Sequence, residues 1–210
     1  MKMSVDYPVK LNIDYPDKAL NRLTSFFRIF TAIPILILYG LMTGYTSNSN
    51  DPNVTWQLTI SAAGVLFLPA MLMVLFRQKY PRWWFDWNVN LINFSTRVFN
   101  YFALMTDVYP ATDAEQSVHI EIPYPDAKNG LNRWLPLVKW FLAIPHYIVL
   151  CVLAIAVGVI WIIAWFAILF TGKYPRSFFD FMVGFFRWWL RVAGYAFLLT
   201  TDQYPPFSLE

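Results

Sequence analysis

Cysteine occurs once in this chain, at Cys151, and histidine twice, at His119 and His146. A single thiol excludes an intrachain disulfide, so nothing in the sequence signals an oxidising compartment. Charge is scarce as well: 14% of residues are Asp, Glu, Lys or Arg, against about 25% in ordinary globular chains. No lysine or arginine lies in 29–76 or in 140–172. There is no glycine-rich phosphate loop, no Ser-His-Asp set and no carboxylate pair at catalytic spacing. The chain therefore reads as non-enzymatic, with no cofactor and no metal. The N-terminal residues lack the apolar core of a secretory signal, so membrane insertion is expected to be driven by internal segments.

What is present is apolar and aromatic. Hydrophobic residues make up 58% of the chain and aromatics 20%. All sixteen basic residues fall in 2–28, 77–97, 128–139 and 173–191, leaving two long apolar stretches between them without a basic residue. That segregation points to an integral membrane protein. The net charge of +3 is a weak basic bias. It fits membrane topology better than nucleic-acid binding.

The chain also repeats itself. Val9–Asp17 returns as Val118–Asp126, and the triplet Leu20-Asn-Arg22 as Leu131-Asn-Arg133. Ala32-Ile-Pro34 returns as Ala143-Ile-Pro145, and Lys79-Tyr-Pro-Arg82 as Lys173-Tyr-Pro-Arg176. Arg97-Val98 returns as Arg191-Val192, and Thr106-Asp-Val-Tyr-Pro110 as Thr201-Asp-Gln-Tyr-Pro205. The order is the same throughout, which marks a tandem duplication with a first repeat over 1–114 and a second over 115–210.

Each repeat opens with an alternating segment, Val9, Leu11 and Ile13 or Val118, Ile120 and Ile122, the period of a short strand. The two strands are candidates to pair with each other or with another subunit. An apolar hairpin is expected next. In the first repeat Leu23–Tyr45 and Trp56–Phe76 each approach the roughly 20 residues that span hydrocarbon, and the polar loop 46–53 joins them. In the second, the 37-residue run Trp134–Phe170 is nearly unbroken. As one straight helix it would rise about 55 Å, against a bilayer core of roughly 30 Å. A turn near Val157-Gly158 is therefore expected, with a shallow re-entrant hairpin as the alternative.

After Lys-Tyr-Pro-Arg, the residues Asp86, Asn90, Asn93, Arg97 and Asn100 form one stripe of a 3.6-residue helix. Asp180, Gly184, Arg187, Arg191 and Gly194 hold the matching places. An amphipathic helix so rich in aromatics suits the membrane interface; a third spanning helix with its stripe turned inward is the competing reading. The expected fold is all-α: four short spanning helices, two interfacial helices, and a small cytoplasmic cap of strands and Tyr-Pro turns. Basic residues flank the hairpins at the chain-end side, so the positive-inside rule puts both termini in the cytoplasm. The repeats would then be parallel, around a pseudo-two-fold axis along the membrane normal, packed through small residues such as Ala154, Gly158 and Ala164.

Taken together, Ile-Pro early in an apolar segment, Gly-Lys-Tyr-Pro-Arg after it, an Arg-bearing aromatic helix and a closing Thr-Asp-x-Tyr-Pro resemble one family of prokaryotic integral membrane proteins, domain of unknown function 4389. The second repeat carries the pattern best, in Val138–His146, Phe170–Pro175 and Arg187–Arg191. The first departs from it with Ile35 for His146, Gln78 for Gly172 and Asn93 for Arg187. The resemblance implies a bacterial or archaeal cytoplasmic membrane and no particular activity.

Several residues are candidates for chemistry. His146 could relay protons or ligate a metal. The plainer reading is a hydrogen bond to a neighbouring helix or a headgroup, since no ligand stands three or four residues away. Arg97, Arg187 and Arg191 are candidates for lipid phosphates or a partner, as are Lys79, Arg82, Lys173 and Arg176 beside them; pairing with Asp86 or Asp180 is another use for the stripe arginines. Asp107 and Asp202 precede Tyr-Pro and are placed to accept backbone N–H bonds in a turn. Pro34 and Pro145 are expected to kink their helices and mark the repeat interface. The functional expectation is an accessory, scaffolding or lipid-organising membrane protein, in contact with lipids and acting within a larger complex or homo-oligomer. The alternative is a carrier or channel for a lipid or small apolar molecule at the repeat interface.

Overall fold

A computed structural model of the chain describes residues 7–16, 18–46, 59–111 and 116–210, with side chains described at all of these except 41–46 and 59–66. It is mostly helical, at 61%. Strand β1 (Lys10–Ile13) is followed by α1 (Arg22–Phe26) and α2 (Arg28–Thr43). A ribbon of β2 (Gly44–Thr46) and β3 (Thr59–Ser61) leads into α3 (Ala62–Leu72), which ends in a π-helical turn, Met73–Arg77. Then come α4 (Arg82–Phe102), β4 (Val118–Glu121), α5 (Lys139–Leu142), α6 (Ile144–Thr171) and α7 (Arg176–Ala196). The loop tip 47–53, the acidic linker 113–115 and the repeat boundary near 114 lie outside the described residues.

Local chemistry sets the element ends. Tyr80 and Tyr174 each precede a proline, which disfavours helix at that position, and α4 and α7 start directly after Pro81 and Pro175. Each preceding apolar helix stops at a left-handed residue, Gln78 (φ 47°) in the first half and Gly172 (φ 72°) in the second. Glycine takes that conformation without strain; a residue with a Cβ does not. Leu104 (φ 64°) and Leu199 (φ 56°) are also left-handed, in the turns two and three residues past the ends of α4 and α7.

The expected second hairpin is absent. α6 runs unbroken for 28 residues through Val157-Gly158, a rise of about 42 Å. Pro145 does not kink it, because it sits in the first turn, where its missing N–H has no intrahelical acceptor in any case. Pro34, by contrast, lies inside α2. The first half carries a similar apolar sequence in two pieces. Aligned on Pro34 and Pro145, α2 falls on 139–154; aligned on Gln78 and Gly172, α3 and its π-turn fall on 156–171. In the latter stretch Ala62, Gly64, Val65, Ala70, Leu75 and Phe76 meet Ala156, Gly158, Val159, Ala164, Leu169 and Phe170. The β2–β3 ribbon therefore interrupts what is continuous in the second half. Four spanning helices are not what the chain builds: among the described residues, Ile144–Thr171 is the one helix long and apolar enough to cross a membrane, and Arg28–Gly40 and Phe67–Arg77 are shorter.

The two halves are interlaced. β1 pairs antiparallel with β4 in the register Lys10↔Glu121, Leu11↔Ile120, Asn12↔His119, Ile13↔Val118. β1 packs on α7, and β4 on α4, so each strand lies on the other half's helix. Tyr15 Oη donates to the Tyr174 carbonyl at 2.5 Å, and Tyr124 Oη to the Tyr80 carbonyl. Phe67 meets Phe197 edge-on, and Trp161 stacks on Phe102. The main core gathers Val9, Leu11, Ile13 and Val118 from the sheet with Ala164, Ile168, Phe179, Met182 and Leu190 from α6 and α7.

Candidate functional site

An apolar crevice of about 440 Å³ opens between the helices, lined by residues from both halves. α2 contributes Tyr39, α4 contributes Thr96, Phe99 and Phe102, α6 contributes Ala154 to Trp161 along one side, and α7 contributes Met182 to Trp189. Two of its polar groups turn to the chain's own backbone. Thr96 Oγ1 donates to the Ile92 carbonyl at 2.8 Å, and Trp161 Nε1 to the Phe102 carbonyl at 3.0 Å. Gly158 shapes one wall: a Cβ there would meet nothing within 4 Å. A site of this size falls within the roughly 300–1,000 Å³ range of small-molecule pockets. Lined almost entirely by apolar and aromatic side chains, it suits an apolar chain. Pro34 and Pro145 do not line it.

A second feature occurs twice. Arg28, 1% exposed, pairs with Asp107 at 2.5 Å, and its guanidinium stands 4.0 Å from the Tyr101 ring. Lys139, 0% exposed, pairs with Asp202 at 2.7 Å, and its ammonium stands 5.1 Å from the Tyr195 ring. The same two aspartates accept the Asn21 and Asn132 backbone N–H groups, at 2.7 and 2.5 Å. Each cluster thus ties the entry of an apolar helix to the end of the amphipathic helix in its own half. Burial pushes the Lys139 ammonium below its usual pKa, with Asp202 opposing that shift. The aspartates do accept backbone N–H bonds, though from segments far away in sequence rather than from their own turns. The sequence pattern did not single out Arg28 or Lys139. The available signal was their shared spacing: Asn21 to Arg28 repeats as Asn132 to Lys139.

The stripe arginines bond to carbonyls of the chain itself. Arg97 Nη1 donates to the Ala111 carbonyl at 2.8 Å. Arg187 donates to the Leu11 and Leu209 carbonyls at 3.2 and 3.4 Å. Arg191, 8% exposed, donates to the Ser208 carbonyl at 3.5 Å and lies 5.9 Å from the Tyr7 ring. Burial, then the neighbouring Arg187, lowers its pKa, while Tyr7 opposes the shift. The stripe holds the cap: a Cβ on Gly184 would stand 2.7 Å from the Leu209 carbonyl oxygen, and one on Gly194 2.9 Å from Val9 Cγ2. Neither Asp86 nor Asp180 pairs with a stripe arginine; Asp180 bonds instead to Arg176, at 3.3 Å on the helix surface. Lys79, Arg82, Lys173 and Arg176 are exposed at the ends of the amphipathic helices.

His146 is fully buried. Its Nδ1 accepts from Trp188 Nε1 at 3.0 Å, and its ring stacks 3.9 Å from Phe207. The matching pair in the first half, Ile35 and Phe94, shares an apolar cluster. Ala164 is buried, whereas Ala154 and Gly158 form crevice wall rather than a closed repeat contact. His119 sits on the outer face of the cap and bonds to Asp14 at 2.9 Å. Among the described residues no cluster of His, Cys, Asp and Glu could hold a metal ion.

No curated protein and no solved structure matches the chain. Residues 134–208, from the approach to α5 through the Asp202 turn and the tail on His146, match as a single copy the family described as Domain of unknown function (DUF4389).

Proposed function

We propose that this is a non-enzymatic membrane protein of a bacterial or archaeal cytoplasmic membrane that holds an acyl chain, or an apolar molecule of similar shape, in the crevice between its halves. The crevice itself carries the reading: about 440 Å³, contributed by both halves, with the Thr96 and Trp161 polar groups turned to the chain's own carbonyls. The apolar exterior supports a membrane setting. Only 11% of the most apolar window of α6 is buried inside the molecule, whereas the core helix of a soluble domain is covered on most sides. In this reading residues 1–114 are a second, diverged copy of the family seen at 134–208. The sheet and both termini face the cytoplasm, and the exposed Lys79, Arg82, Lys173 and Arg176 meet anionic headgroups. Holding a lipid in this way makes the protein a lipid-organising element or a carrier, and leaves its outer faces for a larger complex or a second copy.

The test is mass spectrometry of lipids retained by the protein purified from membranes into nanodiscs, for the wild type and for Gly158→Trp. The indole fills the crevice, and replacing a helical glycine by tryptophan favours the helix by about 0.5 kcal/mol. The expected result is one enriched lipid or apolar species in the wild type, reduced at least about tenfold by the substitution, given that each 1.4 kcal/mol of lost contact is tenfold. Equal retention by both proteins would refute crevice binding. A stoichiometric protein partner without enriched lipid would move the function to complex assembly.

A further inference from the structure

We infer that the protein enters only one leaflet: α6 lies in the plane of the membrane, its outer face among the acyl chains and both its ends at the headgroups of the same anionic leaflet. This rests on the membrane setting proposed above and not on crevice binding.

Length and composition alone would let α6 cross a bilayer. Its neighbours oppose that. α6 lies alongside α7 for most of its length: near its start, His146 and Leu150 meet Trp188, Val192 and Tyr195, and near its end Ala164 and Ile168 share a core with Phe179 and Met182. The cap in turn runs along α7 rather than sitting over its end. Gly184 approaches Leu209, Arg187 bonds to Leu11 and Leu209, Arg191 bonds to Ser208, and Gly194 approaches Val9. These contacts cover about 15 Å of helix, starting near its middle. A perpendicular α6 would therefore carry the β1–β4 sheet down into the hydrocarbon. Lys10, Asn12 and Asp14 on β1 and its end, and His119 and Glu121 on β4, point outward from that sheet and are exposed. Two-stranded sheet edges and outward charges have no place at that depth.

The flat orientation removes the conflict. The exposed residues Ile148, Ile155, Ile162 and Phe166 recur along one side of α6 from its first turns to its last, and helical spacing keeps them at one depth only if the axis lies in the plane. Charge is placed to match. Lys128 and Arg133 are exposed on the approach to the start of α6; Lys173 and Arg176 follow its end, where Lys18 and Arg22 join them. In a crossing helix one of these basic groups would lie outside, against the positive-inside bias. In the plane, both meet phosphates of the cytoplasmic leaflet.

The full chain carries its own probe. Cys151 is the single cysteine and lies exposed on this same face of α6. A fluorescent label is placed on Cys151 in the wild type. Four further chains carry Cys151→Ser together with one of Ile148→Cys, Ile155→Cys, Ile162→Cys or Phe166→Cys, and each is labelled at its introduced thiol. The measure is quenching by lipids with nitroxides at shallow or deep acyl positions, in vesicles of phosphatidylcholine and phosphatidylglycerol. The expected result is one depth, the same at every labelled position. A profile that deepens to a maximum near 155–162 and returns to the surface at both ends means a crossing helix, and overturns the inference. Absence of quenching at every position means that protein, not lipid, covers the face, and overturns it equally. Cys151 together with either the 155 or the 162 position is enough for the comparison, should other variants fail to fold. Because the readout is depth, it does not depend on whether Gly158→Trp empties the crevice.

Discussion

Arg28 and Lys139 hold the same place in the two halves with different chemistry. Both are buried cations, both meet the aspartate of the closing Thr-Asp-x-Tyr-Pro, and both lie over a tyrosine of the amphipathic helix in their own half. Arginine stays charged at any accessible pH, whereas a buried lysine can shed its proton. Elsewhere too the halves solve one packing problem with different residues. Ile35 lies with Phe94 where His146 bonds to Trp188, and Gln78 is left-handed where Gly172 is. Pairs that differ together at positions in contact mark what the architecture requires; the particular residue is only one way to supply it.

The largest effect should come from the ion pairs. Removing one partner of a buried pair costs about 3–5 kcal/mol, because the remaining charge is uncompensated. Asp107→Ala strands an arginine, which cannot neutralise, and Asp202→Ala strands a lysine, which can. Thermal unfolding in mild detergent should therefore show Asp107→Ala to be the more damaging, with the difference growing at alkaline pH. The sign follows from linkage. Lys139 has a folded pKa below its ordinary value of 10.5, and loss of Asp202 lowers it further. Between the folded and unfolded pKa values the unfolded chain binds the extra proton, so stability rises with pH across that window. The deficit of Asp202→Ala should shrink as pH approaches 10.5, and that of Asp107→Ala should not. Equal, pH-independent losses would show that the two clusters are not the same device.

The histidine pair gives a sharper, smaller test. His146→Ile leaves the buried Trp188 N–H without its acceptor, at a cost of about 1–3 kcal/mol. The double variant His146→Ile with Trp188→Phe recreates the pairing of the first half and should recover most of that loss. If the losses of the two single variants simply add in the double, the pair is not a unit. The smallest effect belongs to the helix ends. Gln78→Gly should stabilise the first half by about 1 kcal/mol, the strain of a left-handed residue bearing a Cβ, and Gly172→Ala should cost a similar amount. A neutral Gln78→Gly would mean that its side chain makes contacts worth as much as the strain.

The recurring motifs, the alternating strands, the Tyr-Pro turns and the amphipathic stripe are all legible in the sequence, because each is a local pattern of period, spacing or ring constraint. The missing hairpin is not. Set against the thickness of a bilayer, the run Trp134–Phe170 is too long for one crossing, but only on the premise that an apolar helix crosses. Hydropathy records what a segment can be immersed in, not the direction of its axis. The first half compounds the error, since its inserted ribbon reads as the turn of a hairpin to which the second half should conform. The fate of the basic residues is equally out of reach. Nothing near Arg28 and Lys139 in the sequence marks them as buried; their partners Asp107 and Asp202 stand far off in the chain. The bonds of Arg187 and Arg191 to carbonyls of β1 and the C-terminal tail are likewise made with segments distant in the chain or folded back on the helix.

By itself, then, the sequence determined the apolar character of the chain, its recurring motifs, its strands and the starts of its amphipathic helices, for these depend on neighbours within a few residues. Only the tertiary structure decided that each strand lies on the other half's helix, that α6 follows α7 without a break, and that the crevice is shared between the halves. Those outcomes depend on contacts between segments tens to well over a hundred residues apart, whose free energy appears only when the helices and the sheet have closed on one another.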